Sequence, residues 1–269
     1  MQNTLFFLAA LIYLATAFLP ARMRGAASVG TVLAWLLHGG ALWADMLARP
    51  DSLRLGFAVV LSATLWISVA AYWLENRNFS LDSLRVLVLP SAAVAVVLPA
   101  IFPGSVVSLQ DNAGLYTAHI VIAILAYSTL TIAAFHAVLM AVQEASLHTS
   151  PGAARGWFTT MIERLPALLT MEKLLFRMIG FGFTLLTLTV LSGIVFSEEL
   201  FGRPIRWDHK TIFTLLSWML FGVLLAGRRL RGWRGKTALS FTLSGFATLL
   251  LAYVGSRFVL EVLLHRGLA

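Results

Sequence analysis

Apolar runs of about 20 residues recur from one end of the chain to the other, each long enough to cross roughly 30 Å of hydrocarbon as a helix. In water such runs would have to be hidden in a core. A chain of 269 residues with 59% hydrophobic and only 12% charged side chains has no polar surface to spare for that. A soluble domain carries about 25% charged residues. Spans are expected near 3–20, 27–48, 55–74, 85–103, 114–142, 175–197, 210–227 and 237–264. The fold class that follows is an all-α polytopic membrane protein, a bundle of about eight transmembrane helices forming one integral membrane domain over 1–269. A soluble enzyme, a disordered regulator and a nucleic-acid module are excluded.

The formal net charge of +8 does not reopen the nucleic-acid reading, because no basic run is long enough to track a phosphate backbone. Basic residues in such a chain orient it, collecting in the inside loops. Met1-Gln-Asn lacks a basic region ahead of the first run, while Arg22 and Arg24 follow it. That order predicts an uncleaved first span with its N-terminus outside. Thirteen of the 20 Lys and Arg then fall inside, seven outside, and both termini face out. The cluster from Arg228 to Lys236 is the strongest inside signal. The absence of cysteine excludes disulfides, thiolate metal sites and iron–sulfur clusters.

The loops are short except for 143–174. There Trp157, Phe158, Met161, Ile162, Leu165, Leu168 and Leu169 are interrupted by Arg155, Glu163, Arg164 and Pro166. This stretch reads as an amphipathic cytoplasmic connector, with a solvated linker as the plainer alternative. Pro90 and Pro99 are expected to bend the fourth span, a distortion that neighbouring helices can absorb.

The topology sorts the six histidines by depth. His119, His209 and His265 all fall at the outer surface. His38 lies near mid-membrane, His136 lies about 25 Å further in than His119 by helical rise, and His148 is in the cytoplasmic connector. A histidine inside a span is a functional candidate, with a neutral imidazole bonded to a carbonyl or hydroxyl as the structural alternative. That alternative weighs most for His136 and His148. His119 and His265 are different, because two imidazoles at one depth can ligate one iron from opposite sides. Zinc also accepts imidazole but asks for three or four ligands.

The loop before the seventh span reads Phe201-Gly-Arg-Pro-Ile-Arg-Trp-Asp-His-Lys210. Asp208 is placed to cap the following helix, and Phe201 and Trp207 suit an interfacial belt. Arg203, Arg206 and Lys210 are placed to pair with carboxylates such as the propionates of a porphyrin. No nucleophile elbow, zinc-protease motif or phosphate-binding glycine loop occurs. Buried carboxylates are expected to be almost absent from the spans, Glu261 being the closest case.

Three segments together resemble the CcsA/CcmC-type cytochrome c assembly membrane proteins. The first is Leu109-Gln110 with Asn112, then His119 and, eight residues on, Tyr127. The second is Trp207-Asp208-His209-Lys210, Leu216-Ser-Trp218 and Gly232-Trp-Arg-Gly-Lys236. The third is Gly245-Phe246, Tyr253-x-Gly255 and His265. They define a cytochrome c assembly-like region over 109–265, nearest the HemX/YpjD-like branch, while the first four spans match in hydropathy alone.

The resemblance implies a haem-handling protein of the bacterial inner membrane, not an enzyme, holding haem b non-covalently near the periplasmic face for delivery or sensing. It implies that His119 and His265 are axial ligands of the iron. Trp207 and Asp208 match the end of the family's haem platform, and His38 lies where relatives carry a membrane-embedded haem ligand. The implied partners are haem, the bilayer, and cytochrome c maturation or haem biosynthesis proteins. Departures are also present: Phe201 and Ile205 stand where the family has tryptophans, His209 replaces a proline, Thr211 a glutamate, and Ala226 a second membrane histidine. His209 is thus a candidate replacement ligand or hydrogen-bonding neighbour. A non-haem scaffold acting through a cytoplasmic partner, and a transporter of a small organic anion, are the competing functions.

Overall fold

A computed structural model describes residues 2–46, 52–79, 81–108, 113–146, 165–201, 207–259 and 262. Its helices are α1 (Gln2–Ala17), α2 (Arg24–Met46), α3 (Phe57–Phe79), α4 (Arg85–Ile101), α5 (Ala113–Ser146), α6 (Leu168–Phe201), α7 (His209–Arg231) and α8 (Gly235–Leu250). Helix α8 runs on through a π turn, Leu251–Gly255, into a last turn at Ser256–Phe258. Among the described residues seven helices are long and apolar enough to cross a membrane, and α1 contributes a shorter apolar helix at Thr4–Ala17. The all-α polytopic class is therefore correct.

Helices α1–α4 pack as one group and α5–α8 as another, with α5 touching α3, α6 and α8. Alanine makes the close approaches, with Ala34, Ala41, Ala92, Ala126, Ala133 and Ala137 all buried. Hydroxyl side chains are tolerated in the spans because they bond their own helix. Thr31 donates to Ala27 O, Ser68 to Thr64 O and Thr242 to Ala238 O, at 2.7 to 2.8 Å. Large side chains such as Phe7, Leu11, Leu36 and Phe181 are left on the outside, where lipid is the solvent.

The bundle has two distinct ends. At one, strands β1 (Ser52–Leu55) and β2 (Ser105–Ser108) pair antiparallel, Ser52 opposite Ser108 and Leu55 opposite Ser105. They join the α2–α3 connection to the α4–α5 connection. Gly104 precedes β2 at φ +70°, and a Cβ there would lie 2.5 Å from the Leu55 carbonyl oxygen, so only glycine fits. Phe57 at the start of α3 meets both Phe102 after α4 and Phe258 after α8, ring centroids 5.2 and 5.5 Å away.

The other end is basic. Arg85 is buried at 2% exposure and donates through Nε to Ala17 O at 3.2 Å and through Nη2 to Leu19 O. It thereby caps the open carbonyls at the end of α1. Arg24 pairs with Asp82 at 2.6 Å. The α7–α8 turn at this end explains Gly232-Trp-Arg-Gly. Gly232 and Gly235 sit at φ +67° and +53°. Trp233 folds back over Gly227, where a Cβ would come within 2.3 Å of the indole. Arg228 and Arg234 then clasp the buried carboxylate of Glu172 on α6, at 2.6 and 2.9 Å.

Two expectations need correction. The spans do contain buried carboxylates: Asp45 on α2 and Glu172 on α6 are 4% and 7% exposed, and one oxygen of Glu75 on α3 is buried. They escaped notice because the helices run past the apolar runs, and Arg54 and the Arg228–Arg234 clasp neutralise Asp45 and Glu172. The sixth span begins at Leu168, taking residues 168–174 from the expected connector, and 143–146 belong to α5. Residues 147–164 of that connector, with His148 and Trp157, lie outside the described residues, as does Glu261.

Candidate functional site at the strand end of the bundle

His119 sits in the second turn of α5, at the strand end, facing α6. Its Nδ1 lies 2.8 Å from Ser192 Oγ. Ser192 Oγ also donates to Thr189 O at 3.1 Å. A hydroxyl has one hydrogen, so with that hydrogen on Thr189 the oxygen accepts from Nδ1–H. With the ring held through Nδ1 in this way, the proton on Nδ1 is the arrangement that leaves Nε2 to act as a donor atom toward a metal. Gly193 lies beside the ring: a Cβ there would be in ordinary contact with His119 Cε1, at 3.4 Å.

The start of α7 stands at the same end. Asp208 caps it as expected, Oδ1 accepting from Thr211 N and Thr211 Oγ1 at 2.9 Å each. Trp207, just ahead of the cap, is 72% exposed. His209 is exposed as well. Lys210 Nζ lies 5.7 Å from the centre of the Tyr253 ring, which belongs to the π turn after α8. Tyr127, two turns below His119 on α5, donates its hydroxyl to Leu249 O at 2.9 Å, directly before that turn. Ser217 of α7 donates to Gly245 O at 2.8 Å, and Gly245 packs against Phe221. Residues from all three motif segments thus converge on α5, α7 and α8. Arg203, Arg206 and His265 lie outside the described residues, as do Leu109, Gln110 and Asn112.

His38 is placed elsewhere. It is fully buried between α1 and α3, Nε2 lying 2.8 Å from Ser62 Oγ and Nδ1 3.4 Å from the Tyr13 hydroxyl. Both ring nitrogens are engaged there, so His38 stands apart from the strand-end group. Among the described residues no three His, Asp or Glu gather as metal ligands, so the zinc alternative finds no cluster there.

One residue that matters to this geometry carried no sequence signal. Ser192 is one of many hydroxyls in an apolar helix, and it is 73 positions from His119. Its pairing with His119 depends on which faces of α5 and α6 meet.

A bundle of long apolar α-helices, with His119 and the start of α7 at one end and basic turns at the other, defines a multi-pass membrane protein. The chain belongs to the cytochrome C assembly protein family, whose sequence pattern matches residues 3–264. It is similar to the inner membrane protein YpjD of Escherichia coli K12, 28% identical over 247 residues, covering 89% of this chain and 88% of that one. It is also similar to the cytochrome c biogenesis protein CcsA of Thermosynechococcus vestitus, 35% identical over 94 residues. That match covers 35% of this chain and 30% of CcsA. CcsA of Gloeobacter violaceus is 33% identical over 98 residues, 36% of this chain and 29% of its own. No solved structure matches.

Proposed function

We propose that this protein holds haem b non-covalently at the strand end of the bundle, for handling, delivery or sensing, and is not itself an enzyme. The observation that carries the reading is the Thr189–Ser192–His119 chain of hydrogen bonds, which holds the His119 ring through Nδ1 at the strand end. His119 is one axial ligand; His265 supplies the other, on the family pattern. Trp207 offers an exposed indole face to the porphyrin, and Arg203, Arg206 and Lys210 pair with the propionates. Asp208 holds the start of α7, and His209 beside it serves as a hydrogen-bonding neighbour or replacement ligand. Haem, when bound, supplies a redox-active iron; the chain supplies ligation, orientation and a platform.

The strand end is periplasmic in this reading. Its support is the concentration of Arg24, Arg77, Arg85, Arg228, Arg229, Arg231 and Arg234 at the opposite end, which the positive-inside tendency keeps in the cytoplasm. Proteins of cytochrome c maturation or haem biosynthesis are the partners this reading names, supported by the printed role of the CcsA relatives. The test is an absorption spectrum of protein purified in mild detergent. A Soret band with bis-histidine character, weakened by His119→Ala and His265→Ala at unchanged expression, is expected. Protein that neither copurifies with haem nor takes up added haem refutes the reading.

A further inference from the structure

At the basic half of the bundle two buried acceptor atoms face each other with nothing between them. His136 on α5 is fully buried, and its Nδ1 lies 3.0 Å from the carbonyl of Ile132, one turn earlier. A carbonyl can only accept, so the hydrogen is on Nδ1 and the lone pair is on Nε2. Nε2 lies 3.6 Å from Oε2 of Glu75 on α3. Neither atom has a hydrogen-bond partner. An imidazole lone pair against a carboxylate oxygen is repulsive in a low-dielectric interior, where each unpaired polar group already costs free energy.

One proton on the Nε2–Oε2 axis removes the conflict. As an imidazolium facing a carboxylate or as a carboxylic acid donating to imidazole, the pair carries the same single proton, which belongs to both groups together. The geometry points to Glu75 and His136 as a proton-binding site between α3 and α5, which no feature of haem ligation requires. A metal cation is the other ligand two such atoms could share. It would need further donors, and among the described residues no third His, Asp or Glu joins them.

The site has a direction. The Glu75 side chain is 21% exposed and lies about 6 Å of helical rise from the basic end of α3, whereas the His136 side chain is wholly buried. Glu75 is therefore the exchange point with water and His136 the inner acceptor. Beyond His136 the path stops at a backbone carbonyl, which makes the pair a store and not a conduit. From α6, Arg177 is within electrostatic reach of Glu75. On the α2 and α4 sides of α3, Arg24, Asp82 and Arg85 line the small cavity beside Asn76. Uptake takes one proton from water at the basic end and raises the charge of the Arg177–Glu75–His136 group by one.

The test uses the full chain in detergent with nitrogen-15-labelled histidine, His136 being assigned by loss of its signals in His136→Gln. Infrared spectroscopy of the same samples follows the Glu75 carboxyl group. One titration is expected, seen as a protonated Nε2 or as a carboxylic acid band, and lost in both Glu75→Gln and His136→Gln. In Glu75→Gln the amide donates permanently to Nε2, so the thermal midpoint of that variant should lose the wild-type fall as pH rises. The inference is overturned by an unprotonated Nε2 beside an ionised Glu75 across pH 5 to 8, with no change in the His136 signals in Glu75→Gln. A response of those signals to chelator or added divalent cation in place of pH overturns it too, in favour of a metal ion.

Discussion

Trp35 of α2 and Trp66 of α3 exchange hydrogen bonds: each indole N–H donates to the other residue's backbone carbonyl, at 3.0 and 2.9 Å. The rings stack at 4.9 Å with planes 4° apart. Gly39, one turn beyond Trp35, lies under the Trp66 ring, and a Cβ there would come within 2.9 Å of it. Trp66→Phe keeps the stack and removes one donor, so thermal unfolding in detergent should show a loss of about 0.6 to 1.7 kcal/mol, the range of interhelical hydrogen bonds in membranes. Gly39→Ala should cost more, because it displaces the whole ring. Equal midpoints for wild type and Gly39→Ala would contradict this packing.

The Glu172 clasp closes the basic end between α6 and the α7–α8 turn. Glu172→Ala leaves Arg228 and Arg234 without their carboxylate, and a loss of about 1.5 to 3 kcal/mol is expected for hydrogen bonds to a charged group. Both arginines keep some contact with water, at 29% and 50% side-chain exposure, which holds the loss to that range. Because both cations share one carboxylate, Glu172→Ala and Arg228→Ala should combine less than additively in a double-mutant cycle.

Ser192→Ala tests the haem reading without touching a ligand. Loss of the oxygen that accepts from His119 Nδ1–H frees the ring to turn and to change tautomer. Haem affinity should fall by about 10- to 100-fold, as is usual for a hydrogen-bonding partner of a metal ligand. Ser192→Thr, which retains the hydroxyl, should remain near wild type. Titration of purified apoprotein with haem measures both.

The sidedness can be read directly, because the chain has no cysteine to remove first. Thr117 near the start of α5 and Leu230 near the end of α7 are both exposed. In intact cells of an outer-membrane-permeabilised strain, Thr117→Cys should react with a membrane-impermeant maleimide and Leu230→Cys should not. The reverse pattern would place the strand end in the cytoplasm.

Hydropathy made the helices legible and set most boundaries within a few residues. It failed where charge is neutralised out of sequence. The expected connector ran to residue 174 and so took in Glu172, yet that carboxylate is neutralised by two arginines more than 50 positions later. Asp45 was hidden likewise by Arg54 across a turn. The β1–β2 pair gave no signal, because four-residue strands on either side of two spans look like loop ends. Of the site, the Asp208 cap was readable from local rules, since its partner Thr211 is three residues away. The Ser192–His119 and Glu75–His136 pairs were not, because each depends on which faces of two long helices meet.

The β1–β2 ladder has a mechanical meaning as well. It is built from main-chain groups, so its grip does not depend on which side chains occupy those eight positions. Any tilt of α3 or α4 that opened the bundle at that end would have to shear the ladder or drag the partner connection with it. The two loops therefore act as a cross-brace that ties the α2–α3 connection to the α4–α5 connection just ahead of the helix that carries His119.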